Sequence, residues 1–170
     1  EDDVKYYLKS ENEGRGLYTS YLKETTGGQL RVVQMSSDEA AANDSTAWYL
    51  SFEPSNQYYT MRNAATGKYI TYNGSRFAAA TRTSPVANDW LHLMRGRVDV
   101  TSEKYRGYWI IHPITEWSPN CMLANASGTV GQATFNLANS ATTQRWLILT
   151  EEEMKKVNTY VDGIDDVRYD

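Results

Sequence analysis

The chain has 170 residues, of which 41% are hydrophobic and 22% are charged, as in one globular domain with a short appendage. This composition excludes a disordered chain, and no apolar run approaches the ~18 residues of a membrane helix. Residues 151–170 hold seven of the 21 acidic and three of the 17 basic side chains, so the net charge of −4 lies there and residues 1–150 are neutral. A neutral body without a Lys/Arg cluster argues against nucleic acid as a partner and fits a neutral ligand.

Three landmarks recur in the same order three times along residues 1–150. An aromatic pair opens each repeat, at Tyr6-Tyr7, Tyr58-Tyr59 and Tyr108-Trp109. A second short strand-like piece follows, and a tryptophan that starts a further strand closes each repeat, at Trp48, Trp90 and Trp146. Short apolar or alternating runs, cut by clusters of Gly, Asn, Ser and Thr, predict about four strands per repeat and twelve in all. The repeats cover about residues 4–53, 54–104 and 105–150.

Local signals along the chain refine this pattern. Residues 25–28 (TTGG) predict a turn, and residues 39–42 (EAAA) predict one helical turn before the first closing tryptophan. Asn73-Gly74 between two β-prone runs predicts a hairpin, because both residues tolerate positive φ. A further hairpin is expected over residues 97–103, where Val98 and Val100 alternate with polar residues.

Residues 150–167 have the pattern of a capped helix. Thr150 and Glu153 have the spacing of a capping box, and three acidic residues in the first turn favour the helix dipole. Apolar residues then recur every three or four positions, at Met154, Val157, Val161, Ile164 and Val167. Residues 151–170 are therefore expected to pack on the β body as a helix or to begin a linker to a further domain.

One four-stranded unit cannot bury its own apolar face, so the three repeats are expected to close around a shared core. The closing tryptophans Trp48, Trp90 and Trp146 are predicted to fill that core. The one cysteine, Cys121, lies in an apolar strand-like run and is expected to be a small buried hydrophobe.

The three repeats resemble the ricin-type β-trefoil lectin modules, in which each repeat ends in Gln-X-Trp. Here the third repeat keeps that motif as Gln144-Arg145-Trp146, and the others have Thr46-Ala47-Trp48 and Asn88-Asp89-Trp90. The sequence is similar in style to trefoil modules attached to secreted carbohydrate-processing proteins of bacteria. The resemblance implies an all-β fold: a β-trefoil of three four-stranded repeats with pseudo-threefold symmetry, here followed by a C-terminal helix.

The resemblance also locates a sugar site to test. In the family an Asp follows the second strand of each active repeat, and the matching positions here are Ser20, Thr71 and Ala124. The absence of Asp puts that galactose-binding arrangement in doubt in all three repeats. Aromatic rings stack on sugar faces and amides bond to sugar hydroxyls, so other loop residues become the candidates for ligand binding. The candidate residues are Trp117, Asn120, Asn125, Tyr72, Asn73 and Tyr21.

Catalytic signals are weak in this sequence. His92 lies in an alternating strand run, His112 precedes Pro113, and neither belongs to a nucleophile or metal-binding motif. The segment at residues 25–28 lacks the Lys and the following helix of a phosphate loop. We therefore expect no enzyme activity, no metal and no cofactor.

The resemblance implies a non-catalytic carbohydrate-binding module of a larger secreted protein that acts on glycans. Its expected partner is a glycan, with a neighbouring domain of the same parent chain as a second partner, and its expected location is extracellular, periplasmic or on the cell surface. The alternative is a protein-docking or spacer trefoil whose sugar sites are degenerate. A trefoil protease inhibitor is a third hypothesis, although such inhibitors commonly hold their exposed loop with disulfides and one cysteine forms none.

Overall fold

The computed structural model describes residues 4–10, 20–95, 109–114, 120–134 and 142–155. These residues form twelve β-strands, the number that the sequence predicts: β1 (Lys5–Ser10), β2 (Ser20–Thr25), β3 (Gln29–Gln34), β4 (Trp48–Glu53), β5 (Tyr58–Asn63), β6 (Tyr69–Tyr72), β7 (Phe77–Ala80), β8 (Leu91–Arg95), β9 (Trp109–Pro113), β10 (Asn120–Ala124), β11 (Val130–Thr134) and β12 (Trp146–Leu149). The same residues include the short helices α1 (Ser37–Ala41) and α2 (residues 151–155). None of the described helices has the length and apolar character needed to cross a membrane.

Six of the strands close into a ring. β1 pairs with β12 and β4, β5 pairs with β4 and β8, and β9 pairs with β8 and β12, all antiparallel. Each strand of the ring therefore has a neighbour on both sides, which removes the free edges that an open sheet exposes. The ring is a small barrel whose side chains point alternately inward and outward.

The remaining six strands form three hairpins, β2–β3, β6–β7 and β10–β11. They follow β1, β5 and β9, so all three lie at the barrel end where those strands finish; we call this end the hairpin cap. The β6–β7 turn forms at Asn73-Gly74, as predicted. Asn73 Oδ1 accepts hydrogen bonds from the backbone N–H groups of Ser75 and Arg76, and Gly74 adopts a φ of 96°.

Two layers of side chains fill the barrel. The floor layer is nearer the hairpin cap and has one fully buried residue from each strand: Leu8, Trp48, Met61, Leu91, Ile111 and Trp146. The mouth layer lies two residues away on the same strands, at the opposite end, and is half-buried: Tyr6, Leu50, Tyr59, Leu93, Trp109 and Ile148. Residues two apart on a strand share a face, so both layers point inward.

Two of the three closing tryptophans occupy the floor layer, as predicted. The indole Nε1–H of Trp48 donates to the backbone carbonyl of Leu22 (3.2 Å) and that of Trp146 donates to Met122 (3.0 Å). Each ring is thus tied to the hairpin of its own repeat. This hydrogen bond satisfies the one polar group that the buried indole carries.

The prediction for Trp90 is wrong by one residue. Trp48 pairs with Tyr6 and Trp146 pairs with Trp109, but the residue that pairs with Tyr59 in the same register is Leu91. Leu91 is fully buried and Trp90 is half-buried just before the strand. A one-residue shift reverses the face to which a strand residue points, so the tryptophan lies outside the floor layer.

The same shift corrects the motif of the second repeat, which is Asp89-Trp90-Leu91. A polar side chain is buried two residues before each floor residue of β4, β8 and β12, and each has its own hydrogen bonds. Asp89 accepts from the Arg82 guanidinium (2.9 Å) and from the backbone N–H of Val86. Gln144 Nε2 donates to the Thr134 carbonyl, and Thr46 Oγ1 donates to the carbonyl of Ala40.

α2 begins where the sequence predicts, and α1 begins two residues before the predicted helical turn at residues 39–42. α1 starts with a capping box formed by Ser36 and Glu39. α2 starts the same way, because the Thr150 backbone N–H donates to the Glu153 carboxylate and the Glu153 N–H donates to Thr150 Oγ1. Met154 is fully buried in the cluster on the outer side of the barrel, so this turn packs on the β body. The rest of the predicted helix and the expected hairpin at residues 97–103 lie outside the described residues.

Candidate functional site

The open end of the barrel is a concave surface, which we call the barrel mouth. It has a volume of about 510 Å³ and is lined by the mouth layer together with Phe52: Tyr6, Leu50, Phe52, Tyr59, Leu93, Trp109 and Ile148. The floor layer closes it from below. Its volume is within the range of about 300–1,000 Å³ that is typical of small-molecule sites.

The aromatic rings of the barrel mouth come from equivalent positions of three strands. Tyr6, Tyr59 and Trp109 each pair with the floor residue at the start of a closing strand. Phe52 is 49% exposed, and its ring centroid lies 4.9 Å from that of Tyr59. Within the described part of the chain, the seven lining residues include no charged side chain, which suits a neutral ligand.

A smaller pocket of about 270 Å³ lies at the hairpin cap. All three hairpins contribute to it: residues 27–31, 76–79 and 129–130. Two hydrogen bonds join the hairpins here. The Arg31 guanidinium donates to the Ser127 carbonyl, and Gln132 Nε2 donates to the Ser75 carbonyl. Gly28 has a φ of 76° and approaches β7 so closely that a Cβ would lie 2.4 Å from the Ala79 carbonyl oxygen.

Three of the predicted ligand-binding residues lie on or beside the hairpins. Asn73 and Asn125 each start a hairpin turn, and each side chain bonds within its own turn. The Asn125 amide nitrogen donates to Thr129 Oγ1 (2.9 Å), while Asn73 Oδ1 holds the β6–β7 turn. Asn120 opens β10 opposite Thr134 and is half-buried. Trp117 lies outside the described residues, so its predicted role stays a prediction.

The two predicted tyrosines have different surroundings. Tyr21 is fully buried in the outer cluster, and Tyr72 is 2% exposed with its ring centroid 4.8 Å from that of Phe77. A ring without an open face cannot stack on a sugar, so we correct both assignments from ligand binding to packing. The sequence could not show this, because the residues around a tyrosine beside a turn do not reveal whether its ring is buried or exposed.

The family's sugar-binding positions are also covered in this structure. Ser20 and Ala124 are fully buried, and Thr71 is 6% exposed with its hydroxyl donating to the Asn88 carbonyl. Each position carries a short side chain that stays within the fold. None of the three can present an oxygen to a ligand at the surface in this conformation.

The histidines and the cysteine lie apart from the barrel mouth. His92 is exposed on the outer face of β8, opposite His112 on β9, and its ring lies 5.8 Å from Tyr58. Cys121 is fully buried, and burial raises the pKa of its thiol to about 12. Among the residues that the structure describes, no group of three or more His, Cys, Asp or Glu side chains could hold a metal ion.

Sequence reasoning did not identify the barrel mouth as a site. Its signal was present in the aromatic pairs that open the three repeats, since Tyr6, Tyr59 and Trp109 all belong to them. The pairs marked the repeats, but the register that brings one ring of each pair to the same end of the barrel requires the structure. In the first repeat the ring that lines the barrel mouth is the first of its pair, Tyr6, whereas in the second repeat it is the second of its pair, Tyr59.

No protein-family model matches the chain, and no curated protein sequence matches it. Solved structures with the same fold do exist. A mosquitocidal holotoxin superposes with a TM-score of 0.63 at 12% identity over 86% of this chain. An endo-β-galactosidase from Clostridium perfringens that releases GlcNAcα1-4Gal has a TM-score of 0.63 at 14% identity over 87% of this chain. SeviL bound to the asialo-GM1 saccharide has a TM-score of 0.58 at 15% identity over 86% of this chain.

The matched proteins differ in how much of them this chain covers. It spans 17% of the holotoxin chain and 32% of the endo-β-galactosidase chain, but 97% of SeviL. The fold of this chain therefore occurs as part of larger proteins and also as nearly a whole protein. In each case the similarity is in the predominantly β fold.

Proposed function

We propose that this chain is a non-catalytic, carbohydrate-binding β-trefoil module of a larger secreted protein that acts on glycans. A ring of six strands capped by three hairpins supports the trefoil assignment, because it is the arrangement expected when three four-stranded repeats share one core. The equivalent register of Trp48, Leu91 and Trp146 supports the pseudo-threefold symmetry.

One observation carries the proposal: the fold matches, over nearly its whole length, a protein that was solved with a saccharide bound. Because the chain covers 97% of SeviL, the shared part is essentially that entire protein. The endo-β-galactosidase contributes in a different way. This chain corresponds to about a third of it, which supports a module attached to a larger glycan-processing chain.

The charge distribution favours a neutral glycan. Residues 1–150 carry equal numbers of acidic and basic side chains, and the described residues that line the barrel mouth are uncharged. Neutral sugars are held by aromatic rings against their C–H faces and by a few hydrogen bonds, and they need no ion pair. An acidic or sulfated ligand would need cationic side chains at its site.

A glycan-array screen of the full chain tests this function. We expect reproducible binding to at least one neutral glycan, confirmed by titration calorimetry with a Kd between micromolar and millimolar. Addition of 0.5 M NaCl is the matched control, because binding without ion pairs loses little affinity in salt. Binding restricted to acidic glycans and abolished by salt would contradict the neutral-glycan proposal. A blank across the array would favour the docking or spacer module.

The docking or spacer alternative has one observation in its favour: the family's sugar positions Ser20, Thr71 and Ala124 are buried. If those sites were the only ones available to the fold, the module would have lost its ligand. The exposed Phe52 gives the alternative little support by itself, since single exposed apolar residues are normal on protein surfaces. The two functions therefore differ in whether another part of this surface holds a sugar.

A further inference from the structure

We propose that the barrel mouth is the glycan site and that it holds the terminal unit of a neutral glycan. This assignment rests on the proposed function and adds the place, the contacts and the part of the ligand that is bound. The hairpins offer less: the family's positions there are buried, and the Asn125 and Asn73 amides are used within their own turns.

The walls of the barrel mouth have the chemistry that a pyranose requires. Trp109, Tyr59 and Tyr6 line the depression with aromatic rings, and the ring of Phe52 lies next to that of Tyr59. A pyranose ring presents C–H groups on at least one face, and these pack against an aromatic ring without loss of hydrogen bonds. The tyrosine hydroxyl groups can both donate and accept hydrogen bonds, as sugar hydroxyls do.

The closed floor of the barrel mouth favours the end of a glycan. Six fully buried side chains of the floor layer lie beneath the depression, so it is closed toward the barrel interior. A polysaccharide chain that continued in both directions would need an open groove. One sugar inserted from the opening, with the rest of the glycan leading to solvent, satisfies the geometry.

The lining also excludes charged sugars. Leu50, Leu93 and Ile148 form the aliphatic part of the surface, and the lining residues that the structure describes include no cationic side chain. A carboxylate or sulfate placed there would lose its hydration without gaining an ion pair, which is strongly unfavourable. The proposed ligand is therefore an uncharged terminal hexose or N-acetylhexosamine.

The test uses the full chain and a panel of methyl glycosides of galactose, glucose, mannose and N-acetylglucosamine, followed by tryptophan fluorescence. Trp109→Ala removes the largest ring of the barrel mouth and is expected to weaken binding at least tenfold. Trp109→Phe keeps an aromatic wall and is expected to retain binding while losing most of the fluorescence change. Trp90→Ala is the matched control, since Trp90 does not line the barrel mouth and its loss should leave the Kd unchanged.

A second variant covers the case in which Trp109→Ala fails to fold. Leu93→Trp adds a ring to the half-buried mouth layer while keeping an apolar side chain at that position, and it should block binding of every glycoside. Circular dichroism melts establish that each variant is folded before its titration is interpreted. Tyr59→Phe removes only a hydroxyl group and should weaken binding severalfold if that hydroxyl contacts the sugar.

The results distinguish a failure of the site assignment from a failure of the proposed function. If the unmodified chain binds a glycoside and folded barrel-mouth variants bind it equally well, the site assignment is overturned and the function stands. In that case Asn125→Ala and Trp117→Ala determine whether the third repeat holds the sugar. If the unmodified chain binds no glycoside and no array glycan, the proposed function and this assignment fail together.

Discussion

Replacing Trp146 by Ala should destabilise the domain severely, and replacing Trp90 by Ala should not. Trp146 is fully buried in the floor layer, and its indole N–H donates to the Met122 carbonyl at 3.0 Å. Loss of a buried tryptophan ring costs roughly 3–5 kcal/mol. The Met122 carbonyl would also lose its buried donor, which costs about 1–3 kcal/mol unless water enters the cavity.

A loss of about 4 kcal/mol or more would remove much of the ~5–15 kcal/mol stability of a typical domain. Urea unfolding followed by far-UV circular dichroism measures this loss directly, provided that the m-value is unchanged. Leu91→Ala should behave as a milder version of Trp146→Ala, at about 2–5 kcal/mol, because Leu91 is the equivalent floor residue.

Trp90→Ala tests the register of the second repeat with the same substitution. The half-buried Trp90 lies outside the floor layer, so its removal should cost less than either floor substitution. Equal destabilisation by Trp90→Ala and Trp146→Ala, together with a mild effect of Leu91→Ala, would refute the register described for β8.

Four further outcomes follow from the structure. Because burial raises the pKa of the Cys121 thiol to about 12, against about 8.5 when unfolded, a disulfide reagent at pH 8 should react only after urea unfolding. Ionisation of that thiol opposes folding. The contribution of the neutral thiol to the free energy of unfolding should therefore be fully present below about pH 8.5 and be lost as pH rises toward about 12. Gly28→Ala should lower the melting temperature more than Gly27→Ala, since both have positive φ but only Gly28 would place a Cβ against backbone. Arg82→Gln should cost about 3 kcal/mol at pH 7 by leaving the fully buried Asp89 carboxylate without its ion pair, and Asp89→Asn in the same background should recover part of this loss; equal melts of Arg82→Gln and the unmodified chain would contradict it.

Much of the architecture could be predicted from the sequence because it depends on signals within short segments. Alternating apolar runs predict strands, Asn73-Gly74 predicts a turn with positive φ, and the Thr150–Glu153 spacing predicts a capped helix. Each of these is determined by residues within a few positions of one another, and each appears in the structure.

The register of the second repeat could not be predicted, because Trp90 and Leu91 are both apolar and adjacent. Which of the two enters the barrel depends on pairing with β5 and β9, and those partners lie about 20–30 residues away in sequence. The tryptophan was the stronger marker of a repeat end, yet leucine occupies the equivalent position. Hydrophobic alternation with a period of two does not show whether the register of the whole strand is shifted by one residue.

The candidate site could be predicted only in its chemistry. Aromatic rings and amides were the expected groups, but the sequence placed them in loops and at turns. Tyr21 and Tyr72 are buried, and the aromatic rings that line the barrel mouth come from the first strand of each repeat and from β4. Closure of the six-stranded barrel brings these strands together, and this closure cannot be predicted from any short segment of the sequence.

The most direct test of this account is a crystal structure of the full chain soaked with the glycan that binds most strongly on the array. We predict density for one terminal sugar in the barrel mouth, with its C–H face against Trp109 or Tyr59 and the rest of the glycan leading to solvent. A sugar bound at the third hairpin, near Asn120 and Asn125, with an empty barrel mouth would contradict the account.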